Sequence, residues 1–225
     1  MAFERFIHEL RSTGNEEDRA FADMAKAYRK QRGGDIPLKE KIGDVVRFSP
    51  EQRKGLERKG YLVYGLTGQT IATLRDTGHP FWSTWHQGEA IEQVRSMLTE
   101  VAVNPKNLFL QDSNRKTLDE QLAMVEKFGR KIAGEVKGIT AILGSAPDYT
   151  ELAFAHQDQR GQRLFGEDFN YDYTRTTTPT GESDVAFVGY FLAGIGLSVD
   201  RWHRDGRLDF LWAAPLVVPA AAVGR

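Results

Sequence analysis

The chain has 225 residues, of which 30 are basic and 31 acidic, and it contains no cysteine. Near-zero net charge excludes a strong field that would attract nucleic acid or anionic lipid, and the lack of cysteine excludes disulfides, thiolate metal sites and a cysteine nucleophile. No segment approaches the roughly 18 apolar residues of a membrane span, and residues 1–14 lack the apolar core of a signal peptide. We therefore expect a cytoplasmic protein, or one exported by a route other than Sec, without a cofactor.

Residues 1–60 are predicted to form a helical N-terminal extension. Apolar residues recur at helix spacing over the first 28 positions. Ser49 followed by Pro50 is typical of a further helix start. The charged run at 51–60 alternates in sign, which favours a solvated helix face over a nucleic-acid patch.

A globular domain is predicted over residues 61–219, with a short tail at 220–225. Its first strand is expected at YLVYGL, residues 61–66, because this segment is short, apolar and bounded by glycines. We expect this strand to pair with LVVP at 216–219 and so to close the domain. Pro215 lacks a backbone donor, so the last strand is expected to bend or to be partly unpaired.

Helices and strands alternate irregularly in the middle of the chain. Helical periodicity predicts helices at 67–77, 89–100 and 117–133. The last of these begins with a Thr-x-x-Glu capping box, and we expect helices 89–100 and 117–133 to lie beside a sheet. Strand-like segments are predicted at 101–110, 139–143 and 149–156.

His79 and His86 are candidate metal ligands because they are seven residues apart. A zinc site needs three or four ligands, however, and no third residue has ligand spacing. The favoured interpretation is structural, with the neighbouring Trp82 and Trp85 packed against the fold.

Two further groups of polar residues invite a chemical role. Glu151 and His156, with Asp158 nearby, are residue types used in acid/base catalysis, but a half-buried strand end is the favoured interpretation. The loop at 163–184 carries oxygen atoms suited to calcium but lacks the spacing of an EF-hand. We interpret it as long irregular structure and predict no metal site; its oxygen-bearing residues include Glu167, Asp168, Asn170 and Asp172.

The C-terminal stretch Val185–Pro219 mixes two kinds of residue. Anchors that a fold needs are here named the frame residues: Leu197, Val199, Trp202, Arg207 and Asp209. Residues that share neither size nor charge are here named the variable positions: Ser198, Asp200, His203, Gly206, Leu208 and Phe210, with Leu192 and Gly194 as further candidates upstream.

Alternation along an extended segment places Gly206, Leu208 and Phe210 on one face and Arg207 and Asp209 on the other. Charge-assisted hydrogen bonds from Arg207 and Asp209 would then fix the segment and leave Leu208 and Phe210 outward. Periodicity alone favours a different outcome, an ordinary antiparallel strand that buries Leu208 and Phe210.

The spacing G-L-x-V-x-x-W-x-R-D-x-R-x-D, followed by W-A-A-P-L-V-V-P, resembles the variable region of proteins diversified by diversity-generating retroelements. In that family a fixed frame surrounds asparagine codons that adenine-directed mutagenesis scatters. The resemblance covers the C-terminal stretch and implies a variable region at about 190–212. It also implies an α+β, C-type lectin-like fold, with two helices beside a short-stranded, loop-rich sheet.

The resemblance implies a ligand-binding protein, not an enzyme, whose variable positions face a ligand that differs between copies. We expect that ligand to be a protein, with His203, Leu208 and Phe210 as energetic anchors. The alternative is a small hydrolase with an acid/base site around Glu151, His156 and His203.

Overall fold

The computed structural model describes residues 45–82, 86–165 and 172–223. All of them belong to one compact unit that begins at residue 43. The predictions for residues 1–44 lie outside the described residues, as do those for Trp85, Glu167, Asp168 and Asn170. The described chain is an α+β structure that contains two four-stranded sheets.

The helices and strands follow one another in an irregular order. The helices are α1 (Pro50–Glu57), α2 (Ile71–Asp76), α3 (Leu118–Glu135) and α4 (Ala146–Arg160), and short 3-10 turns cover Ala90–Gln93, Pro105–Asn107 and Ala220–Ala222. The strands are β1 (Leu62–Thr67), β2 (Leu98–Val103), β3 (Ile139–Ile142), β4 (Tyr173–Pro179), β5 (Asp184–Leu192), β6 (Gly196–His203), β7 (Leu211–Trp212) and β8 (Leu216–Pro219).

The first sheet has the strand order β1-β2-β8-β3, and its strands are all antiparallel. The expected pairing of 61–66 with 216–219 is wrong, because β2 lies between those two strands. The predicted helix at 89–100 is also wrong. The segment contains only a 3-10 turn at Ala90–Gln93, and its last three residues begin β2. The residues of β2 from Thr99 to Val103 are buried in a continuous run typical of a central strand rather than of an amphipathic helix.

Helix α4 lies in the middle of the fold and replaces the strand predicted at 149–156. Ser145 and Asp148 form a capping box at its start, and Pro147 occupies the first turn, where a proline costs no hydrogen bond. Every residue from Ala146 to Phe154 is buried. A helix that is enclosed on all sides shows no polar face, so its sequence lacks helical periodicity.

Residues before position 60 contribute to the domain core. Phe48 and Leu56 belong to the same buried cluster as the strands of the first sheet, and Val46 forms a bridge with Thr99. Helix α1 begins at the predicted Ser49 cap, which forms a capping box with Gln52. The domain therefore extends on the N-terminal side of residue 60, and α1 is part of it.

The second sheet has the strand order β6-β5-β4-β7, with β4 and β7 parallel. Strand β4 occupies part of the loop predicted at 163–184. The chain then leaves β7 and crosses to β8 in the first sheet through residues 213–215, so Pro215 lies where the strand is interrupted. Within the part of the chain that the structure describes, no helix combines the length and hydrophobicity needed to cross a bilayer.

Candidate binding surface

Residues 204–210 form a loop between β6 and β7 rather than an extended strand. Both strand-based hypotheses for this stretch are therefore wrong in their geometry: strict alternation does not apply, and the segment is not an ordinary antiparallel strand. Leu208 is half-buried, and Phe210 remains 37% exposed. The loop keeps its shape through contacts with β4 and with the segment that precedes α3.

Arg175 of β4 is the central anchor of this loop and is completely buried. Its Nη1 donates to the carbonyl oxygens of His203 at 3.1 Å and Arg204 at 3.0 Å. Its Nη2 donates to the carbonyl oxygens of Gly206 at 2.6 Å and Lys116 at 3.3 Å. With the Nε bond to Gln121 Oε1 at 3.0 Å, the guanidinium uses all five of its N–H donors.

A buried cation is costly unless its donors are satisfied, and this one is satisfied by oxygen dipoles. Burial lowers the pKa of Arg175 to about 10, while the Asp205 carboxylate acts in the opposite direction. The group therefore stays charged at neutral pH. Buried Gln121 of α3 completes the network, because its Nε2 donates to the carbonyls of Ser113 at 2.8 Å and Leu211 at 3.0 Å.

The two charged frame residues connect the loop to the start of α3. Arg207 pairs with Glu120 at 2.8 Å and donates to the Arg115 carbonyl at 3.1 Å. Asp209 accepts a two-pronged bond from Arg115. That contact lowers the pKa of Asp209, and the Thr117 amide, followed by Arg207, lowers the pKa of Glu120. Arg207 and Asp209 thus fix the loop through partners on another segment, not through each other.

The other frame residues divide into two kinds. Leu197 and Val199 are fully buried, whereas Trp202, predicted as an apolar anchor, is 48% exposed. The Trp202 indole lies over Gly206, where an added Cβ would come within 2.4 Å of it. A larger residue at 206 would displace this ring, which is free of tight enclosure on its other side.

The variable positions do not share one environment. His203 and Gly194 are exposed, and Asp200, Gly206, Leu208 and Leu192 are half-buried. Ser198 is only 1% exposed, which corrects its expected place on the open surface. It lies in the middle of β6, where β5 pairs on one side and residues 80–82 pair on the other at Leu197.

The candidate acid/base residues are held in structural hydrogen bonds. Glu151 accepts from the Thr67 amide at 2.9 Å, the Thr67 hydroxyl at 2.7 Å and the Ser96 hydroxyl. The ring of buried His156 contacts the Tyr64 hydroxyl at 2.5 Å. His203 lies instead on the second sheet, where its Nδ1 accepts from the Asp205 amide at 3.1 Å. Each polar side chain thus has a local structural role, and the hydrolase alternative gains no support from these contacts.

The two histidines predicted to be structural also lie in different surroundings. His86 is buried against Glu92 at 2.8 Å, and His79 contacts the exposed Asp158 at 3.2 Å. Trp82, expected to pack, is 50% exposed. Among the described residues there is no group of three or more His, Asp or Glu side chains placed to hold a metal ion.

Sequence reasoning missed Arg175 and Gln121. The sequence signal for Arg175 is weak: it is the single charged residue of a threonine-rich, strand-forming segment, YTRTTTP. Comparison with protein families, curated proteins and solved structures finds no match to this chain. The function must therefore be argued from the geometry of the loop and the sheet beneath it.

Replacing Arg175 with lysine should destabilise the protein although it keeps the charge. An ammonium group has three donors and no planar fork, so it cannot bind the loop carbonyls, the Lys116 carbonyl and Gln121 together. We expect the free energy of unfolding to fall by about 3 kcal/mol or more, as measured by chemical denaturation. The control is Arg204→Lys, which alters only an exposed pair with Asp119 and should cost less than about 1 kcal/mol. Equal losses would contradict the anchoring role.

The burial of Glu151 predicts a specific dependence of stability on pH. Burial raises the pKa of Glu151, against the opposing hydrogen bonds from Ser96 and Thr67. The folded protein then binds more protons than the unfolded chain above the ordinary value of 4.5, so the free energy of unfolding falls as pH rises through the interval up to the raised pKa.

Glu151→Gln should flatten that slope, because glutamine does not titrate and its amide retains hydrogen-bond partners in Thr67 and Ser96. The measurement is denaturant unfolding across a pH series that starts near the ordinary carboxyl pKa. Some slope should remain, since burial also raises the pKa of Asp148. An unchanged slope in the glutamine variant would refute this assignment.

Proposed function

We propose that the protein binds a ligand through the surface formed by the 204–210 loop and the outer face of the second sheet, and that this surface is the diversified part of a retroelement variable protein. The proposal includes a C-type lectin-like fold. Two features support that fold: helices α3 and α4 lie between the two strands β2 and β8 in sequence, and those strands pair in one sheet.

One observation carries the proposal: the loop is held by its backbone, not by its variable side chains. Arg175 binds the carbonyls of His203 and Gly206. The carbonyl of Leu208 accepts from the Arg115 amide at 3.0 Å, and that of Phe210 accepts from the Tyr173 amide at 2.9 Å. Every residue type carries the same carbonyl, so exchange of these side chains leaves the anchoring bonds intact.

The same logic applies to the strand part of the surface. Ser198 and Asp200 are held in β6 by ladder pairing with Gly189 and Phe187 of β5. Ladder hydrogen bonds likewise do not depend on side-chain identity. Variation at Asp200 is therefore compatible with the fold, whereas Ser198 has less room because it is buried.

Tolerance of the surface is tested by asparagine substitution. A variant that combines Asp200→Asn, His203→Asn, Leu208→Asn and Phe210→Asn should keep a single cooperative unfolding transition and lose at most about 1 kcal/mol per position. The matched control places asparagine at two frame residues of the same strand, Leu197 and Val199. Burying two unpaired amides costs at least about 2 kcal/mol each, so the control should lose its cooperative transition. Loss of folding in the first variant would refute the proposed display surface.

Diversification is tested on the DNA that flanks the coding region. A retroelement variable protein requires a template that nearly repeats codons 196–212 and differs from them at adenines. Sequencing of the flanking DNA should find that repeat beside a reverse transcriptase gene. A flanking region without such a repeat would contradict diversification, although it would leave ligand binding at this surface intact.

A further inference from the structure

A second, smaller hydrophobic cluster lies on the outer face of the second sheet, apart from the main core. It consists of Tyr173, Phe187, Tyr190 and Leu211. The Tyr173 ring centroid lies 4.9 Å from that of Phe187, 6.1 Å from that of Tyr190 and 5.8 Å from that of Phe210. We name these rings, together with Trp82, whose centroid is 5.2 Å from that of Tyr190, the aromatic row.

The row ends in exposed rings on both sides. Trp82 is 50% exposed and Phe210 37%, while the rings between them are buried. Half-exposed aromatic side chains supported from below by buried ones are typical of anchors at protein interfaces. The exposed rings lie at the two ends of the row rather than around one cavity, which favours a macromolecular ligand over a small molecule.

A β-bulge places Tyr190 in this row. Pairing between β5 and β6 shifts register between Gly189 and Leu192, and Tyr190 has a φ of 46°. Without the bulge, alternation would point Phe191 outward and Tyr190 into the core. Instead Phe191 is buried in the main core, 5.3 Å from the Phe154 ring. A positive φ at a bulky residue is energetically costly, and such strain is concentrated at functional surfaces.

Variable positions surround the aromatic row. Leu192 and Leu208 are partly buried against its cluster, Phe210 is its last ring, and Asp200 is the cross-strand partner of Phe187. Trp82, Tyr173, Phe187 and Tyr190, by contrast, are not variable positions. The surface therefore has aromatic residues outside the variable positions at its centre and variable positions around them.

The electrostatic character of the surface favours a cation. Residues 172–212 contain six carboxylates and four arginines. Arg175 is buried, Arg204 and Arg207 pair with Asp119 and Glu120 of α3, and Asp209 pairs with Arg115. Besides these, the segment has five carboxylates and Arg201, so its balance is negative. Asp200 lies on the outer face of β6 beside Phe187, and Trp202, two residues later in the strand, lies on the same face. A carboxylate next to aromatic rings matches a side chain with an apolar stem and a charged end.

We propose that the aromatic row, together with Asp200 of the variable positions, accepts an arginine or lysine side chain from a segment of a protein ligand. The exposed Trp82 ring, supported by the buried rings, contacts the apolar stem, and Asp200 binds the charged end. Arginine suits the site best, because its planar guanidinium stacks on rings and binds a carboxylate with two bonds. This inference rests on the proposed function and deepens it, since it assigns a ligand chemistry to the proposed binding surface.

The probe is a library of random linear peptides displayed on phage and selected on the whole protein, with the four-asparagine variant used for counter-selection. Enriched peptides should carry arginine or lysine next to an apolar residue. Asp200→Asn should weaken binding of an enriched synthetic peptide about tenfold, and Trp82→Ala should weaken it at least as much, as measured by calorimetry. Trp82→Phe should restore part of the affinity, because a smaller ring remains.

Two controls match these variants in chemistry and exposure. Asp112→Asn removes an exposed carboxylate elsewhere, at a positive φ that asparagine tolerates. Val223→Ala shortens an exposed apolar side chain away from the second sheet. Both should leave the affinity unchanged.

Three outcomes overturn the inference: no enrichment over the counter-selected variant, enriched peptides without basic residues, or full affinity after Asp200→Asn or Trp82→Ala. None of these outcomes refutes the proposed function, whose own test is the folding of the four-asparagine variant. Loss of folding in that variant refutes the proposed function whichever peptides are enriched.

Discussion

The buried guanidinium of Arg175 is the interaction on which the surface of this protein depends. It binds backbone oxygens at the start of the 204–210 loop and the carbonyl of Lys116, and it joins them to α3 through Gln121. Because its partners are carbonyl groups, the shape of the loop is set by a residue outside the loop. The anchoring bonds then do not use the variable side chains of the loop, whereas Arg207 and Asp209 bind Glu120 and Arg115. This is the physical condition for exchanging the variable residues.

The polar residues that suggest catalysis also form hydrogen bonds inside the fold. Asp148 and Glu151 lie on a helix enclosed by the fold, and each accepts hydrogen bonds from neighbouring elements. Carboxylates in such a place must be satisfied locally, since water does not reach them. They connect α4 to the strands and loops around it, and the surface proposed to bind a ligand lies on the second sheet instead.

The sequence predicted well wherever a local rule decides the structure. The caps at Ser49 and Thr117 and the strand at 62–67 follow from nearest-neighbour chemistry. It failed where tertiary enclosure overrides periodicity, as in α4, whose buried faces carry no alternation, and in the first half of β2, which was predicted as the end of a helix. The variable positions were found from a resemblance, but Arg175, which holds the backbone of two of them, His203 and Gly206, was not. The anchoring role of a single arginine in a threonine-rich strand cannot be predicted from the sequence, because it depends on a loop that contacts the arginine only in the folded protein.

Strand β8 lies between β2 and β3, inside the first sheet, although it follows the loop in the chain. A copy of the gene that acquires an insertion, a deletion or a stop codon within codons 196–212 would lose this central strand. Such a copy leaves a gap in the sheet and exposes the edges of two strands, so the defective chain is subject to degradation. Under the diversification proposed above, the need for β8 to complete the first sheet would discard copies with a broken reading frame and admit copies in which only side chains are altered.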